Sequence, residues 1–504
     1  MPKPISLCVL AAVLLALPYL FPLLFPLAWV AFVPLFWVIE RAETLRHAAF
    51  YGWLMGLFSH LIGFYWLVFT ISVFGGFAYP ISAVVFFIYG SLQGLQLALL
   101  ALLVKRFGFG PFQLFPALFW VAVEFWFPML FPWYLANSQS FFTSFIQTAD
   151  LVGPYGASLL LMWFNTTAYN ATLANQAQPM RREVMAIVIS LVVVSVIYGV
   201  VRRDAVAEKM AAASKLSVVA VQGNIDIDLK WNPARVKSNM EAYRNLTRPN
   251  DGARLVIWPE SAIEVWLPEN LQELPRELMP ALGPGVDYFI FGARSFRGTP
   301  GAADFRAFNT AYLTDATGGV RGRYHKQVLL AFGEYLPFSR ILSKLPAIPF
   351  ADGFTPGDGP HTFDLSGGVR IAPLICYEDL MPPLSRAFVK DTRANVLVNL
   401  TNDAWYGRTV APWQHTRLAQ WRAIETRRSL LRVTNTGITT LINAKGEIQE
   451  SLPIFTPAVL KTQLEILEGE TFYVRFGDGF AWAVSLLAIA LVLSKLASRR
   501  APAA

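Results

Sequence analysis

The sequence contains little cysteine and little histidine. Its 504 residues include two cysteines, Cys8 and Cys376, whose separation suggests neither a disulfide scaffold nor a pair of metal ligands. The five histidines lack the short spacings of a zinc site. We therefore expect no metal centre and no cofactor, and the redox compartment stays open. The histidines are His47, His60, His325, His361 and His415.

Charged residues are also scarce, at 15% of the chain, whereas 55% of the residues are hydrophobic. The apolar residues are unevenly spread: long uncharged runs fill the N-terminal part and recur near the C-terminus. Residues 215–468 have the composition of an ordinary globular domain. This distribution predicts a membrane part joined to a soluble part.

The net charge of +8 does not indicate a nucleic-acid partner. No basic run is interleaved with aromatic residues, and the arginine pairs lie where apolar runs end. Membrane topology accounts for these cations better. We therefore expect no binding to nucleic acid.

About eight apolar runs are long enough to cross a bilayer, which requires about 20 apolar residues per helix. The predicted parts are a membrane domain at 1–204 with about seven spans, a soluble domain at 215–468 and a last span at 477–495. No small-residue cleavage site follows the first run, so we expect an uncleaved helix. The predicted spans are 5–21, 23–39, 48–72, 77–104, 113–132, 154–173, 184–201 and 477–494.

The cations of the short loops predict an orientation. With the N-terminus in the cytoplasm most of them lie on the inner side, and Arg202 and Arg203 are the main exceptions. The odd number of preceding spans then places the soluble domain outside the cytoplasmic membrane. In a bacterium that compartment lacks ATP, so a reaction there must draw its energy from the bonds of its substrate.

The soluble segment alternates short β-rich runs with helical runs, a pattern typical of an α/β fold with layered sheets and helices. Predicted strands lie at 216–221, 255–258, 288–292, 369–375 and 395–400, and predicted helices at 233–246 and 412–428.

Cys376 follows the apolar run 371–375, at the end of a predicted strand. Ligands of α/β sheets bind at such strand ends, where backbone N–H groups can form an oxyanion hole. A neighbouring cation would activate the thiol as a nucleophile. A lone cysteine is also common as a small core residue, so the hypothesis depends on its companions.

Two charged residues lie in comparable positions. Glu260 follows the strand at 255–258, where a partly buried carboxylate can accept a thiol proton. Lys326 enters an apolar loop and can stabilise an oxyanion there. Taken singly, Glu260 also fits a helix cap or turn and Lys326 an ordinary surface lysine. Together with Cys376 they indicate a nucleophile site.

Four motifs resemble the carbon-nitrogen hydrolase (nitrilase) superfamily: Trp-Pro-Glu-Ser at 258–261, Tyr-His-Lys at 324–326, Phe-Gly-Glu-Tyr-Leu-Pro at 332–337 and Ile-Cys-Tyr-Glu at 375–378. Together with the apolar runs, the whole chain resembles the apolipoprotein N-acyltransferase family. Further motifs that carry this resemblance lie at 131–133, 149–156, 222–224, 402–407, 412–415 and 434–437.

The resemblance implies a polytopic helical membrane domain joined to a four-layer α-β-β-α domain, with Glu260, Lys326 and Cys376 as a catalytic triad. It also implies a ping-pong reaction. Cys376 takes an acyl chain from a membrane phospholipid as a thioester, and the α-amino group of an apolipoprotein diacylglyceryl-cysteine then accepts the chain. The family further implies a monomer in the bacterial inner membrane, with its catalytic domain on the periplasmic side.

The family also implies supporting residues. Glu334 is expected to support the lysine, and Glu378 to act as an acid behind the cysteine. Tyr377 and Trp231 are weaker candidates for substrate contact. Glu124, inside an uncharged span, is assigned no partner, and Asp379 stands where the family usually has an apolar residue. The apolar stretch at 341–350 is either a buried connection or a lid that dips into the bilayer to admit acyl chains, and the tethering spans favour the lid.

Two other hypotheses remain open. A membrane-tethered amidase or nitrilase would use the same three residues and release its thioester to water. A transporter, or a binding protein with a decayed enzyme domain, is a second alternative. The scarcity of charge in the spans and the presence of all three candidate residues argue against the second.

Overall fold

The computed structural model describes residues 3–172, 180–248, 252–337 and 353–498, so the predicted lid at 341–350 lies outside the described residues. The chain divides into two compact units. The first comprises Met1–Val68, Ala78–Asp204 and Phe476–Ala504, and the second comprises Phe69–Phe77 and Ala205–Arg475.

Apolar helices make up the first unit and extend briefly into the second. Most have no acidic residue in the first turn, as expected of helices whose sequence is almost uncharged. The helices up to residue 212 are α1 (Pro4–Leu20), α2 (Val33–Arg41), α3 (Leu45–Gly63), α4 (Leu67–Gly75), α5 (Tyr79–Phe107), α6 (Phe115–Trp126), α7 (Ala149–Val152), α8 (Pro154–Thr172) and α9 (Met180–Ala212).

Within the described residues, four segments are long and apolar enough to cross a membrane alone, and the pair α3 and α4 passes the same test with a bend of 71°. The predicted span at 48–72 is thus two helices. The predicted span at 113–132 forms only the twelve residues of α6, which ends before Pro128 because the residue preceding a proline disfavours helix. Several apolar helices are therefore confirmed. The four segments are Pro22–Arg41, Tyr79–Phe107, Arg182–Ala212 and Gly479–Ser498.

Polar partners hold the charged residues of the first unit. Glu124 accepts hydrogen bonds from the Trp120 indole at 3.1 Å and from the Leu135 backbone N–H at 2.6 Å. Arg202, an exception to the charge asymmetry of the loops, donates to Asp150 at 2.7 Å. Because these groups are paired, the free-energy cost of burying them is reduced.

The second unit contains two mixed sheets and the helices between them in the chain, whereas the last helix, Gly479–Ser498, belongs to the first unit. One sheet has the order β13-β1-β2-β4-β5-β6 with β3 beside β4, and the other has the order β12-β11-β10-β9-β8-β7. The strands are β1 (Lys215–Gln222), β2 (Leu255–Ile257), β3 (Ile263–Pro268), β4 (Tyr288–Arg297), β5 (Arg306–Asp315), β6 (Val320–His325), β7 (Phe363–Leu365), β8 (Val369–Ile375), β9 (Val396–Thr401), β10 (Leu430–Thr434), β11 (Thr440–Ile442), β12 (Ile448–Ser451) and β13 (Ala458–Glu465).

Four layers follow from the alternation of side chains along the strands. On β1, Leu216 and Val218 face the core between the sheets, whereas Val219 faces a second core that includes helix α10. The other sheet is buried on both faces, and helices α11 and α12 cover its outer side. The order helix, sheet, sheet, helix agrees with the predicted fold. The helices are α10 (Val236–Thr247), α11 (Pro382–Asp391), α12 (Ala411–Thr426), α13 (Phe472–Phe476) and α14 (Gly479–Ser498).

The predicted strands of the soluble segment are confirmed, and both predicted helices lie within a few residues of α10 and α12. The second unit also includes residues 69–77, which follow α3 in the chain. Phe74 stacks on Trp405 with ring centroids 3.8 Å apart. This short apolar segment therefore packs against the loop that follows β9.

Candidate active site

Cys376 lies where β8 ends and a single 3-10 turn, Cys376–Leu380, begins. The side-chain amide of Asn399 donates a hydrogen bond to the backbone carbonyl oxygen of Cys376 at 2.7 Å, and this bond connects the turn to β9. Burial first, and then the charge of Glu260, raise the pKa of the thiol well above its usual value, although Lys326 lowers it. Cys376 therefore rests as a thiol, which would need a base to become a thiolate.

Glu260 follows β2 and is buried. Its carboxylate accepts a hydrogen bond from the Asn309 amide at 2.8 Å. Burial raises its pKa above the usual value, while the charge of Lys326 opposes that effect. A Cβ on Gly292 would lie 2.7 Å from the Glu260 Cα, so a glycine on β4 allows this backbone to approach closely.

Lys326 follows β6 and is 1% exposed. Its ammonium lies 2.7 Å from the Glu334 carboxylate, and the ring of Tyr377 is centred 5.4 Å away. Burial alone would lower the pKa of Lys326, but the charges of Glu334 and the other acidic groups outweigh it and raise the pKa. The lysine is therefore a permanent cation in the site.

Glu334 and Asn309 link the lysine to the carboxylate of Glu260. The Asn309 amide donates to Glu334 at 3.0 Å as well as to Glu260. The backbone N–H of Leu330 holds the other oxygen of Glu334 at 2.8 Å. Sequence reasoning missed Asn309. The available signal was a lone amide between apolar residues of a strand, at 307–311.

Glu378 lies in the same 3-10 turn as Cys376 and is completely buried. Its carboxylate accepts backbone N–H groups from Gln327 at 2.7 Å, Val328 at 3.0 Å and Ile375 at 2.8 Å, and the Tyr324 hydroxyl at 3.1 Å. Burial raises the pKa of Glu378 to about 7, while Lys326 and the backbone donors oppose that shift. This carboxyl joins the turn of Cys376 to the loop of Lys326.

Tyr377 and Trp231 have different surroundings. The Tyr377 hydroxyl donates to the Leu329 carbonyl at 3.0 Å, so it fixes the loop beside Lys326. Trp231 lies in a loop after β1, and the Arg294 guanidinium stacks on its ring at 3.9 Å. Its link to the candidate site is indirect, because its neighbour Lys230 acts electrostatically on Glu260.

Three residues of this region have left-handed backbones although none is glycine: φ is 55° at Cys376, 51° at Ser261 and 74° at Trp231. Such conformations cost about 1 kcal/mol or more and persist where the surrounding structure enforces them. The three positions are Cys376 itself, Ser261 next to Glu260, and Trp231 next to Lys230.

Comparison with known proteins decides the family. The family model described as the apolipoprotein N-acyltransferase N-terminal domain matches residues 11–167, and the carbon-nitrogen hydrolase model matches 217–466. The apolipoprotein N-acyltransferase of Geobacter metallireducens is 34% identical over 98% of this chain and 95% of its own length. The chain belongs to the apolipoprotein N-acyltransferase family.

Other members of the family match at similar extent. The Azotobacter vinelandii apolipoprotein N-acyltransferase is 32% identical over 92% of this chain and 89% of its own length. The Rickettsia prowazekii relative is 28% identical over 96% of this chain and 97% of its own length. The family match covers the apolar helices as well as the catalytic domain, which favours the acyltransferase hypothesis over a tethered amidase.

A buried charged cluster departs from the pattern that the family resemblance led us to expect. Asp379 pairs with Arg432 and also contacts His415 at 2.9 Å, and the other ring nitrogen of His415 lies 3.0 Å from Asp403. The carboxylate at 379 is therefore compensated within this chain. Sequence reasoning did not predict the cluster, because its members come from four separate segments.

Among the described residues, no group of three or more histidine, cysteine, aspartate or glutamate side chains could hold a metal ion. The acidic side chains nearest the thiol are instead held by Asn309, Lys326 and backbone N–H groups. These contacts fix the positions of the acidic side chains in the candidate site.

Proposed function

We propose that the chain transfers a fatty acyl group from a membrane phospholipid, through a thioester on Cys376, to the α-amino group of the N-terminal diacylglyceryl-cysteine of apolipoproteins. The observation that carries this proposal is one buried network of contacts that joins Lys326 to Glu260 and to the turn of the half-buried Cys376, in a chain of this family. In acyl transfer the nucleophile attacks the carbonyl carbon, the base takes the proton of the nucleophile, and the cation stabilises the oxyanion that forms.

In the first step, Glu260 accepts the proton of the Cys376 thiol, and the sulfur attacks the ester carbonyl of the phospholipid. The oxyanion that develops is stabilised by the Lys326 ammonium. The C–O bond of the ester then breaks, and Glu260 returns its proton to the departing alkoxide of the lysophospholipid. A thioester on Cys376 remains.

In the second step, the acceptor amine attacks the thioester carbonyl, Lys326 again stabilises the oxyanion, and Glu260 takes the proton that the nitrogen loses. The C–S bond breaks, the sulfur regains its proton, and an amide is released. Transfer from ester to thioester to amide ends downhill, so the reaction needs no ATP.

The supporting residues have proposed roles that follow from their contacts. Glu334 fixes the ammonium of Lys326 and Glu378 holds the backbone on both sides of the nucleophile. Tyr377 packs beside Lys326. We assign Trp231 a contact with substrate, because its half-buried indole lies in the loop that carries Lys230.

The proposed setting is a bacterial inner membrane. We retain about seven spans within 1–204, the catalytic domain at 215–468 on the periplasmic side and a last span at 477–495, with the protein acting as a monomer that does not bind nucleic acid. The apolar helices and the charge asymmetry of the loops support this arrangement.

One experiment separates the proposal from the amidase alternative. The purified chain is incubated with phospholipid and a diacylated lipopeptide, and intact-mass measurements follow both an acyl adduct on Cys376 and N-acylation of the peptide. Cys376→Ser should abolish the thioester, whereas Cys8→Ser, at the other cysteine, should retain it. Hydrolysis of the phospholipid without N-acylation of the peptide would contradict acyl transfer.

A further inference from the structure

Lys230 is a buried lysine that the mechanism above does not use. It follows β1 in the chain and is 3% exposed, and its ammonium has no hydrogen-bond partner among the described residues. Burying an ammonium without acceptors is unfavourable, and a methionine of similar length would avoid that cost. The presence of this cation therefore calls for a role other than stability.

Three charged groups act electrostatically on Lys230: the carboxylates of Glu264 and Glu260, which raise its pKa, and the guanidinium of Arg294, which lowers it. Glu264 is already held by the Asn239 amide at 3.0 Å, and it also faces the backbone N–H of Trp231 at 3.4 Å. Among the described residues, the buried ammonium of Lys230 has no hydrogen bond to either carboxylate, although both act on it electrostatically.

Glu260 lacks a dedicated cation in the described part of the site. Lys326 is within 2.7 Å of Glu334, whose negative charge opposes the effect of that lysine on Glu260. Asn309 donates a hydrogen bond to Glu260 but carries no charge. The ammonium of Lys230 is the second cation that acts on Glu260, and it is not neutralised by a direct partner.

We propose that Lys230 is a positioning residue for the base, whose buried ammonium keeps Glu260 in the carboxylate form that can accept the thiol proton. This inference rests on the role proposed for Glu260. Burial and Arg294 lower the pKa of Lys230 to about 8, against the opposing effect of the two glutamates. At neutral pH the lysine is still mostly protonated, so its charge is present when the base is needed.

The lack of a direct hydrogen bond between Lys230 and Glu260 is compatible with the role of Glu260 as a base. A direct pair would stabilise the carboxylate so strongly that its proton affinity would become too low for a base. A charge at longer range lowers the pKa of Glu260 by a smaller amount. The effect of Lys230 thus opposes the effect of burial on the pKa of Glu260 without removing the ability of this carboxylate to take a proton.

The test is the pH dependence of Cys376 acylation, measured on the full chain in detergent by intact mass with a phosphatidylglycerol donor. Lys230→Met should move the acidic limb of the rate profile upward by about one pH unit. The variant should be about tenfold slower than the wild type on the acidic limb, and the difference should close at high pH. Lys230→Arg should restore the limb. Lys237→Met removes an exposed lysine of α10 and should leave the profile unchanged.

Thermal unfolding and a second donor make the test decisive. The melting temperature of Lys230→Met should not fall, because methionine removes a buried unpaired charge. An unmoved acidic limb would overturn the inference. So would an equal loss at every pH with a lower melting temperature, which would indicate a structural role. The third contrary outcome concerns the donor. If Lys230→Met left the acidic limb of the pH profile in place and raised the KM for phosphatidylglycerol, but not the KM for a phosphate-free thioester donor, Lys230 would be a phosphate-binding lysine. That result would also overturn the inference.

The wild-type reaction distinguishes this inference from the function on which it rests. Absence of an acyl adduct on wild-type Cys376 would contradict the proposed acyl transfer itself. An adduct in the wild type, together with superimposable profiles for the wild type and Lys230→Met, would contradict only the role of Lys230.

Discussion

The Lys326 ammonium lies 2.7 Å from the Glu334 carboxylate, and both side chains are buried. This pair continues through the amide of Asn309 to Glu260, so one chain of contacts joins the cation that would stabilise an oxyanion to the base that would take a proton. A change at either end should therefore alter the protonation of the other.

Glu334→Gln should damage both stability and acylation. It leaves the buried Lys326 without its carboxylate, and breaking such a pair typically costs about 3–5 kcal/mol of unfolding free energy. The pKa of Lys326 should fall, because Glu334 is the largest of the charges that raise it. The measurements are the melting temperature in detergent and the rate at which the Cys376 adduct forms.

The exposed Glu273 provides the matched control for that substitution. Glu273→Gln makes the same chemical change away from the site and should keep both the melting temperature and the rate. If Glu334→Gln matched this control, the ion pair would have no role in the site.

Asn309→Asp should weaken the base. The substitution replaces the shared amide donor with a third acidic side chain between Glu260 and Glu334, and like charge raises the pKa of Glu260 further. We expect acylation to be about 100-fold slower at pH 7 and to recover partly at higher pH. Asn270→Asp, at an exposed position, is the control. A pH-independent loss would show that Asn309 acts only through packing.

The strand ends of the site could be predicted from the sequence because each is a local pattern. Cys376 follows an apolar run, and Glu260 follows a short β-rich run after which proline excludes helix. Such signals need only neighbouring residues. Lys326 carries a weaker local signal: its entry into an apolar loop fits an oxyanion-stabilising cation or a surface lysine, and the family resemblance of the motifs around it favours the first.

Asn309 and Lys230 could not be predicted in the same way. Asn309 contacts Glu260 from a position 49 residues away, and strand alternation does not tell which charged group an inward side chain meets. Lys230 is buried in a loop that turns through the left-handed backbone of Trp231, which composition does not reveal. The sequence also could not predict that the span at 48–72 is two helices, because the break between Gly63 and Leu67 falls inside a continuous apolar run.

Glu378→Gln should loosen the turn of the nucleophile. The carboxylate accepts N–H groups on both oxygens, and a glutamine would present its own N–H₂ to one set of donors. Leaving such groups unsatisfied costs about 1–3 kcal/mol, so the melting temperature should fall and acylation should slow. Glu450→Gln, at an exposed position, should be neutral. Equal behaviour of the two variants would mean that the turn is held by other contacts.

His415 should make the stability of the catalytic domain depend on pH. Burial and Arg432 lower the pKa of His415, but the carboxylates of Asp379 and Asp403 outweigh them and hold the pKa above its usual value. A raised histidine pKa contributes stability that is fully present below about 6.5 and is lost as the pH rises through the folded-state value. The melting temperature of the wild type should therefore decline above pH 6.5.

His415→Gln removes the titrating group, so the part of the decline in melting temperature that His415 causes should disappear. The melting temperature of this variant should be lower at every pH, because the ion pairs of His415 are lost. His361→Gln changes an exposed histidine and should retain the slope of the wild type. Melting curves recorded from pH 6 to pH 9 in one detergent give all three slopes. A wild-type slope that survives in His415→Gln would assign the pH dependence to another group and leave the cluster of Asp379, Asp403 and Arg432 without a titrating member in that range.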